Sequence, residues 1–358
     1  MIPIAKPNIG EEEKKAVLDV LSSGMIAQGK KVLELEEDFA KYVGVKHAIA
    51  TNNGTTALHC ALLAQGLKPG DEVITTPFTF ISCANSILYC GAKPVFVDIN
   101  EATYNIDPSL IEQKITDKTK AIMPVHLFGN PCDMHEILRI AKSNNLFILE
   151  DAAQAHGAMI SDRKVGSFSS GVFSFYPTKN MTTGEGGMIT TDDKEVNERA
   201  RLIRDHGSKV RYYHDLVGYN YRMTDICAAI GIEQLKKLEF FNQRRIENAN
   251  YITNKLSEIP SVITPNITEN TRHVFHQYTI RVNQRDKLIA SLLDAGIGHS
   301  IFYPVPINEQ KVYRDLGYVN DTPVASKISK EVISLPVHPL VTRQDIDKIT
   351  QVISKCLS

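Results

Sequence analysis

The sequence predicts an α/β protein: a large domain built on a mainly parallel, seven-stranded sheet, followed by a smaller C-terminal α+β domain. Three observations carry this. Short apolar runs alternate with helix-like stretches from about residue 45 to 191. The pattern changes after residue 222, where a long helical stretch begins. And 358 residues leave room for two domains of roughly 100–200 residues each.

The elements follow in order. An N-terminal helix is expected over Glu11–Ser22. His47–Thr51, Glu72–Thr75, Pro94–Asp98, Ala121–His126, Leu146–Leu149, Val172–Phe175 and Met188–Thr191 read as buried strands. Between them, helices are expected at Thr55–Gln65, from Pro108 with Asp107 as N-cap, and at Met134–Ser143. Strands alternating with helices argue for βαβ units. Met223–Phe240 reads as a long helix, and a second helix continues through Leu256. Gln277–Val282, His299–Tyr303 and Val332–Leu335 read as strands of the smaller unit, and Thr342 caps a closing helix, Arg343–Leu357. The boundary is placed inside the long helix, giving domains 1–238 and 239–358.

Composition narrows the function classes. Lys and Arg total 40 against 41 Asp and Glu, a net charge of −1. A chain so balanced lacks the basic face that broad nucleic-acid binding needs. No apolar run approaches the roughly 18 residues of a membrane span, and the N-terminus has no signal-peptide pattern, so a cytoplasmic location is expected. The six cysteines, Cys60, Cys83, Cys90, Cys132, Cys227 and Cys356, include no C-x-x-C pair. Reduced thiols and no metal site are expected.

Three segments carry chemistry. The first is Thr51–Leu58 (TNNGTTAL), at a strand-to-helix junction. Gly54 permits close backbone approach, the helix N-terminus offers free N–H groups, and Thr55 and Thr56 add hydroxyls. Such a junction is either an anion cup or an ordinary cap. No G-x-G-x-x-G and no Walker lysine occurs, so nicotinamide and P-loop readings fall. The second is Asp151, which follows the apolar run Leu146–Leu149 after Glu150. Ligands of open α/β sheets lie at the carboxyl ends of strands. Asp151 is either a helix cap or a ligand contact, and an ionised carboxylate there suits a cationic heterocycle nitrogen. The third is Lys179, which follows Phe173, Phe175 and Tyr176 and precedes a Gly-rich turn. An ordinary lysine is solvated, but burial lowers a lysine pKa and yields a nucleophilic amine. Ser174 lies near enough in sequence to share an anion with Thr55 and Thr56. Anion cup, acid and lysine, in that order on one sheet, are the groups that pyridoxal phosphate needs.

The chain resembles the DegT-type family of sugar-nucleotide aminotransferases, which have the type I fold of pyridoxal-phosphate enzymes. The resemblance spans nearly the whole chain: NGTTAL (53–58), GDEVITTPFTF (70–80), GAKPVFVDI (91–99), PVHLFG (124–129), EDAAQAHGA (150–158), FSFYPTKN (173–180), GEGGMI (184–189), GYNYRMTDICAAIG (218–231) and LPVHP (335–339). It implies that Lys179 holds pyridoxal 5'-phosphate and shuttles the proton. It implies that Asp151 pairs with the ring nitrogen, Gln154 contacts the ring hydroxyl, and Phe80 stacks on the ring. Thr55, Thr56 and Ser174 would bind its phosphate. Asn220 would reach the phosphate of the neighbouring subunit, which makes a homodimer the working unit.

On the substrate side, the resemblance points to Met25 in GMIAQG (24–29), His156, His206, Arg222 and Tyr303 in YPVP (303–306). His126 and His338 read as packed side chains. Relatives with His in place of Lys179 catalyse dehydration or deoxygenation, so Lys179 implies transamination. The expected reaction moves an amino group from L-glutamate to the ketone of a nucleotide-diphosphate sugar. The segment YPVPIN (303–308) favours C-3 over C-4 amination. The nucleotide stays open among UDP, dTDP and GDP. The alternatives are a keto-cyclitol aminotransferase or sugar dehydratase on the same fold, or a non-catalytic regulatory protein.

Overall fold

The structure is a computed structural model and describes residues 1–357. In chain order, β1 (His47–Thr51), β2 (Glu72–Thr75), β3 (Lys93–Phe96), β4 (Thr119–Met123) and β5 (Phe147–Asp151) are followed by a small ribbon, β6 (Met159–Ile160) and β7 (Arg163–Lys164). Then β8 (Ser170–Ser174) and β9 (Gly187–Thr191) rejoin the main sheet. Its seven strands lie in the order β1-β9-β8-β5-β4-β2-β3. Neighbours are parallel except around β9, which runs antiparallel to both β1 and β8. Residues on both faces of most strands are buried, which is why these segments read as continuous apolar runs rather than alternating ones.

Helices cover both faces: α1 (Glu11–Ser23), α2 (Lys30–Val43), α3 (Gly54–Ala64), α4 (Ser82–Tyr89), α5 (Met134–Ser143) and α6 (Lys194–Arg204). Helices α2, α4 and α6 were not among the sequence-based expectations. Helix α3 is buried at every position from Ala57 to Leu62, so it lies inside the domain instead of on its surface. Asn53 caps it through a 2.9 Å hydrogen bond from the Thr56 backbone N–H.

After the hairpin β10 (Ser208–Val210) and β11 (Tyr213–His214) comes α7 (Asp225–Leu256). The remainder holds β12 (Val262–Ile263), β13 (Thr271–Arg272), β14 (Tyr278–Val282), α8 (Arg285–Asp294), α9 (Lys311–Asp315), α10 (Pro323–Glu331), β15 (Val332–Leu335) and α11 (Arg343–Leu357). Strands β12-β14-β15 form a second, antiparallel sheet, while β13 pairs back onto β6. Met1–Gly10 runs alongside this second unit: Ile2 bonds Gly296 and Gly298 through its backbone.

Three expectations are corrected. The helix from Pro108 is only two short 3-10 turns, Pro108–Leu110 and Glu112–Lys114, although Asp107 does accept the Ser109 N–H as its cap. Only Ile111 in this stretch is fully buried, so one anchoring side chain suffices and no long apolar face demands a helix. The two helices expected over 223–256 are one helix of 32 residues, because no Gly or Pro interrupts Lys236–Asn248. The strand at His299–Tyr303 is reduced to a single bridge, Ser300 to Ser334. Ile301, Phe302 and Tyr303 all turn toward one side cluster instead of alternating, and Pro304 and Pro306 supply no ladder N–H.

Candidate active site

The carboxyl ends of β5 and β8, together with the N-terminus of α3, converge on one place. Asp151 is the last residue of β5, and Ser174 is the last of β8. Gly54 opens α3. A Cβ on Gly54 would stand 2.8 Å from the Ser174 Cβ, so the helix end sits directly against the strand end. Gly187 is equally tight: a Cβ there would stand 2.4 Å from the Asn53 carbonyl oxygen. Asn53 takes the Thr56 and Ala57 N–H groups, so the first α3 turn keeps the Gly54 and Thr55 N–H groups for an anion, which gains their hydrogen bonds and the helix dipole. The Thr56 hydroxyl donates to Asn52 Oδ1 at 2.6 Å.

Asp151 is buried. Its Oδ1 accepts the Ala153 N–H at 3.0 Å, and its Oδ2 accepts the Cys83 thiol at 2.7 Å. Burial and the adjacent carboxylate hold the Cys83 thiol far above its usual range, so it stays protonated and acts as a donor. The sequence reading missed this contact. A lone cysteine in α4 carries no spacing signal, and only the fold brings it to Asp151.

Lys179 lies in the turn after β8. Loss of hydration pulls its amine down to about 8, with Asp151 and Cys83 opposing the shift. An amine at that value is free for roughly a tenth of the time at pH 7 and about half of the time at pH 8, far more than an ordinary lysine, and so can serve as a nucleophile or proton acceptor. Gln154 accepts the Phe128 N–H at 2.8 Å and donates to the Tyr303 hydroxyl at 3.1 Å. Tyr303 therefore stands beside the cofactor-side residues. Phe80, two residues before α4, leaves 56% of its surface exposed, which makes a flat aromatic face available.

The other residues named from the sequence lie elsewhere in the chain. Asn220 is exposed and bridges Asp205, whose carboxylate pairs with Arg222. His206 is exposed and bonds Tyr219 through its backbone N–H. A 2.9 Å bond from the Asn52 N–H to the Tyr221 carbonyl ties this group to the anion cup. Met25 is 69% exposed on the loop between α1 and α2. His156 sits in the aromatic core between Phe173 and Phe175, with ring centroids 5.3 and 5.8 Å away. Its position is interior, and burial with nearby Lys179 holds it neutral, down to about 3.

A buried carboxylate, a depressed lysine and a helix N-terminus packed against a serine fit pyridoxal phosphate: one partner each for a ring nitrogen, an aldehyde and a phosphate. Sequence comparison agrees. Residues 7–354 match the DegT/DnrJ/EryC1/StrS aminotransferase family, and the chain belongs to it. It is a pyridoxal-phosphate-dependent transaminase of the type I fold. Among its relatives is the GDP-perosamine synthase of Caulobacter vibrioides, 42% identical with 99% of this chain and 98% of that one covered. The UDP-N-acetyl-3-dehydro-alpha-D-glucosamine 3-aminotransferase of Acidithiobacillus ferrooxidans is 39% identical over 94% of this chain and 92% of its own. A sugar aminotransferase of Streptococcus pneumoniae, described as putative and solved in its pyridoxamine-phosphate form, superposes with a TM-score of 0.93 at 30% identity; 99% of this chain and 98% of that one are covered.

Proposed function

We propose that this transaminase moves an amino group from L-glutamate to the ketone of a nucleotide-diphosphate sugar, at C-3. The observation that carries the reading is Lys179, an amine brought down to about 8 and placed within electrostatic reach of Asp151. The nucleotide-sugar relatives supply the acceptor class. The C-3 preference rests on the YPVPIN segment and is matched by the substrate named for one of those relatives.

When bound, pyridoxal phosphate supplies an electron sink. The N-terminal turn of α3, with Thr55, Thr56 and Ser174, holds its phosphate. Asp151 would pair with the ring nitrogen, and Cys83 fixes that carboxylate through its thiol hydrogen bond. Gln154 meets the ring hydroxyl and is itself oriented by Tyr303 and Phe128. Phe80 covers one ring face. Lys179 would hold the cofactor's aldehyde, and its amine, when uncharged, would carry the substrate proton. Met25, His206, Arg222 and Tyr303 contact the sugar nucleotide. Asn220 completes the neighbour's phosphate site, so two copies form the working unit. Residues 1–238 are the cofactor domain and 239–358 the smaller one.

The test is release of 2-oxoglutarate from L-glutamate across a panel of C-3 and C-4 keto sugars on UDP, dTDP and GDP. Turnover of a C-3 keto sugar is expected. Turnover of a keto-cyclitol with no activity on any nucleotide sugar would replace the reading.

A further inference from the structure

A cleft opens beside the Lys179 turn between the N-terminal segment, the Pro177–Thr182 loop and α7. Three cationic residues line it, Lys6, Lys179 and Arg245, and no acidic one does. Arg245 is the unusual member. It is 5% exposed, yet its partners among the described residues are backbone carbonyls and not a carboxylate. The two hydrogen bonds it makes both leave from Nη1, to the carbonyls of Phe275 (3.3 Å) and His276 (3.2 Å). Its Nε finds no acceptor. Burying a guanidinium without an anion is costly, so such a group marks either a strained contact or a ligand position. The neutral histidines beside it, His156 and His276, give it no counter-charge. The acid near the cleft wall, Glu13, is taken by Lys237 and Gln234.

We infer that Arg245 and Lys6 form the subsite for the carboxylate of the amino donor. This rests on the glutamate-donor reading above and deepens it. The Nε–Nη2 edge of a guanidinium presents two parallel donors that match a planar carboxylate. Nη1 is held by backbone carbonyls, and on that other edge the buried Nε finds no acceptor. Lys6 is exposed at the cleft mouth and makes no ion pair among the described residues, so it adds charge without a structural duty. A dicarboxylate donor would be drawn in by Lys6 and gripped by Arg245, with its amino group delivered on the Lys179 side.

The test uses the holoenzyme and glutarate, a dicarboxylate that cannot react, titrated by calorimetry. Inorganic phosphate is the control anion, and the nucleoside diphosphate is titrated in parallel. Arg245→Lys keeps the charge and loses the two-donor edge; it is expected to weaken glutarate roughly 10- to 100-fold while leaving nucleoside diphosphate binding unchanged. Lys6→Ala, at an exposed position that does not hold the fold, is expected to weaken glutarate roughly 3- to 10-fold. Unchanged glutarate affinity in Lys6→Ala and Arg245→Lys overturns the subsite. So does a loss of nucleoside diphosphate binding alone, or phosphate binding as tightly as glutarate. If glutarate binding falls as expected while no nucleotide keto sugar is turned over, the subsite stands and the acceptor reading fails.

Discussion

At the scale of single residues, the site depends on groups whose charge is set by burial. Lys179 has to be neutral to capture an aldehyde. With its amine at about 8, cofactor capture by the cofactor-free protein should rise with pH and level off above about 8. Absorbance at fixed cofactor concentration follows this, with Lys179→Ala as the blank. A rate that still climbs toward 10.5, the ordinary lysine value, would mean that the amine is solvated. The same shift has a stability consequence. Between about 8 and 10.5 the folded chain binds fewer protons at Lys179 than the unfolded chain, so this group's contribution improves as pH rises through that window.

A second residue-scale feature is structural. His126 and Glu150 are both fully buried. The His126 Nδ1 accepts the Cys132 N–H, so Nε2 carries the proton and donates to Glu150 Oε2 at 3.1 Å. Glu150 also accepts the Gly166 and Ser169 N–H groups, at 2.8 and 2.9 Å. Glu150→Gln would set an amide NH2 against at least one of these donors. A loss of about 1–3 kcal/mol in denaturant unfolding is expected, with the transaminase chemistry of the folded fraction retained. Unchanged stability would show that the loop at 166–169 repacks freely.

At the scale of elements, the N-terminus of α3 is the part whose geometry is tightest. Gly54→Ala would drive a methyl to 2.8 Å from Ser174 Cβ, and either α3 or β8 must yield. Cofactor affinity, read by equilibrium dialysis, should fall roughly tenfold or more. Full affinity would remove the helix end from the phosphate site. These elements also show what the sequence could reveal. The seven strand positions were readable because strands buried on both faces demand continuous apolar residues. The Asp151 and Lys179 positions were readable because each follows such a strand. Cys83 and Arg245 were not. Their meaning depends on which groups meet them across 68 and 30 or more residues of intervening chain, and no local period encodes that. Ser300–Tyr303 misled because apolar residues resemble a strand whether they alternate or all turn to one cluster.

At the scale of the molecule, one helix joins the two cores. Ala228, Ile232 and Leu238 of α7 pack against the large-sheet side, and Ala249, Ile252 and Leu256 pack against the second sheet. At 32 residues and about 1.5 Å per residue, α7 is a rod about 48 Å long. Unfolding one core frays the helix that the other needs. Scanning calorimetry should therefore show a single transition, displaced as a whole by cofactor. Two transitions, only one of them cofactor-sensitive, would mean that the cores melt independently.

The antiparallel course of β9 has a consequence for Lys179. A parallel strand after β8 would have required a crossover to the far end of the sheet. Instead Ser174 faces Gly187 across the ladder, and the chain leaves and re-enters the sheet at the same end of the strands. The Phe175 N–H bonds the Gly186 carbonyl, and the Thr183 N–H bonds the Phe175 carbonyl. Residues 175–186 are thus fastened at their base like a buckle. The Lys179 amine rides on a strap with both ends anchored, and its reach is set by the tether.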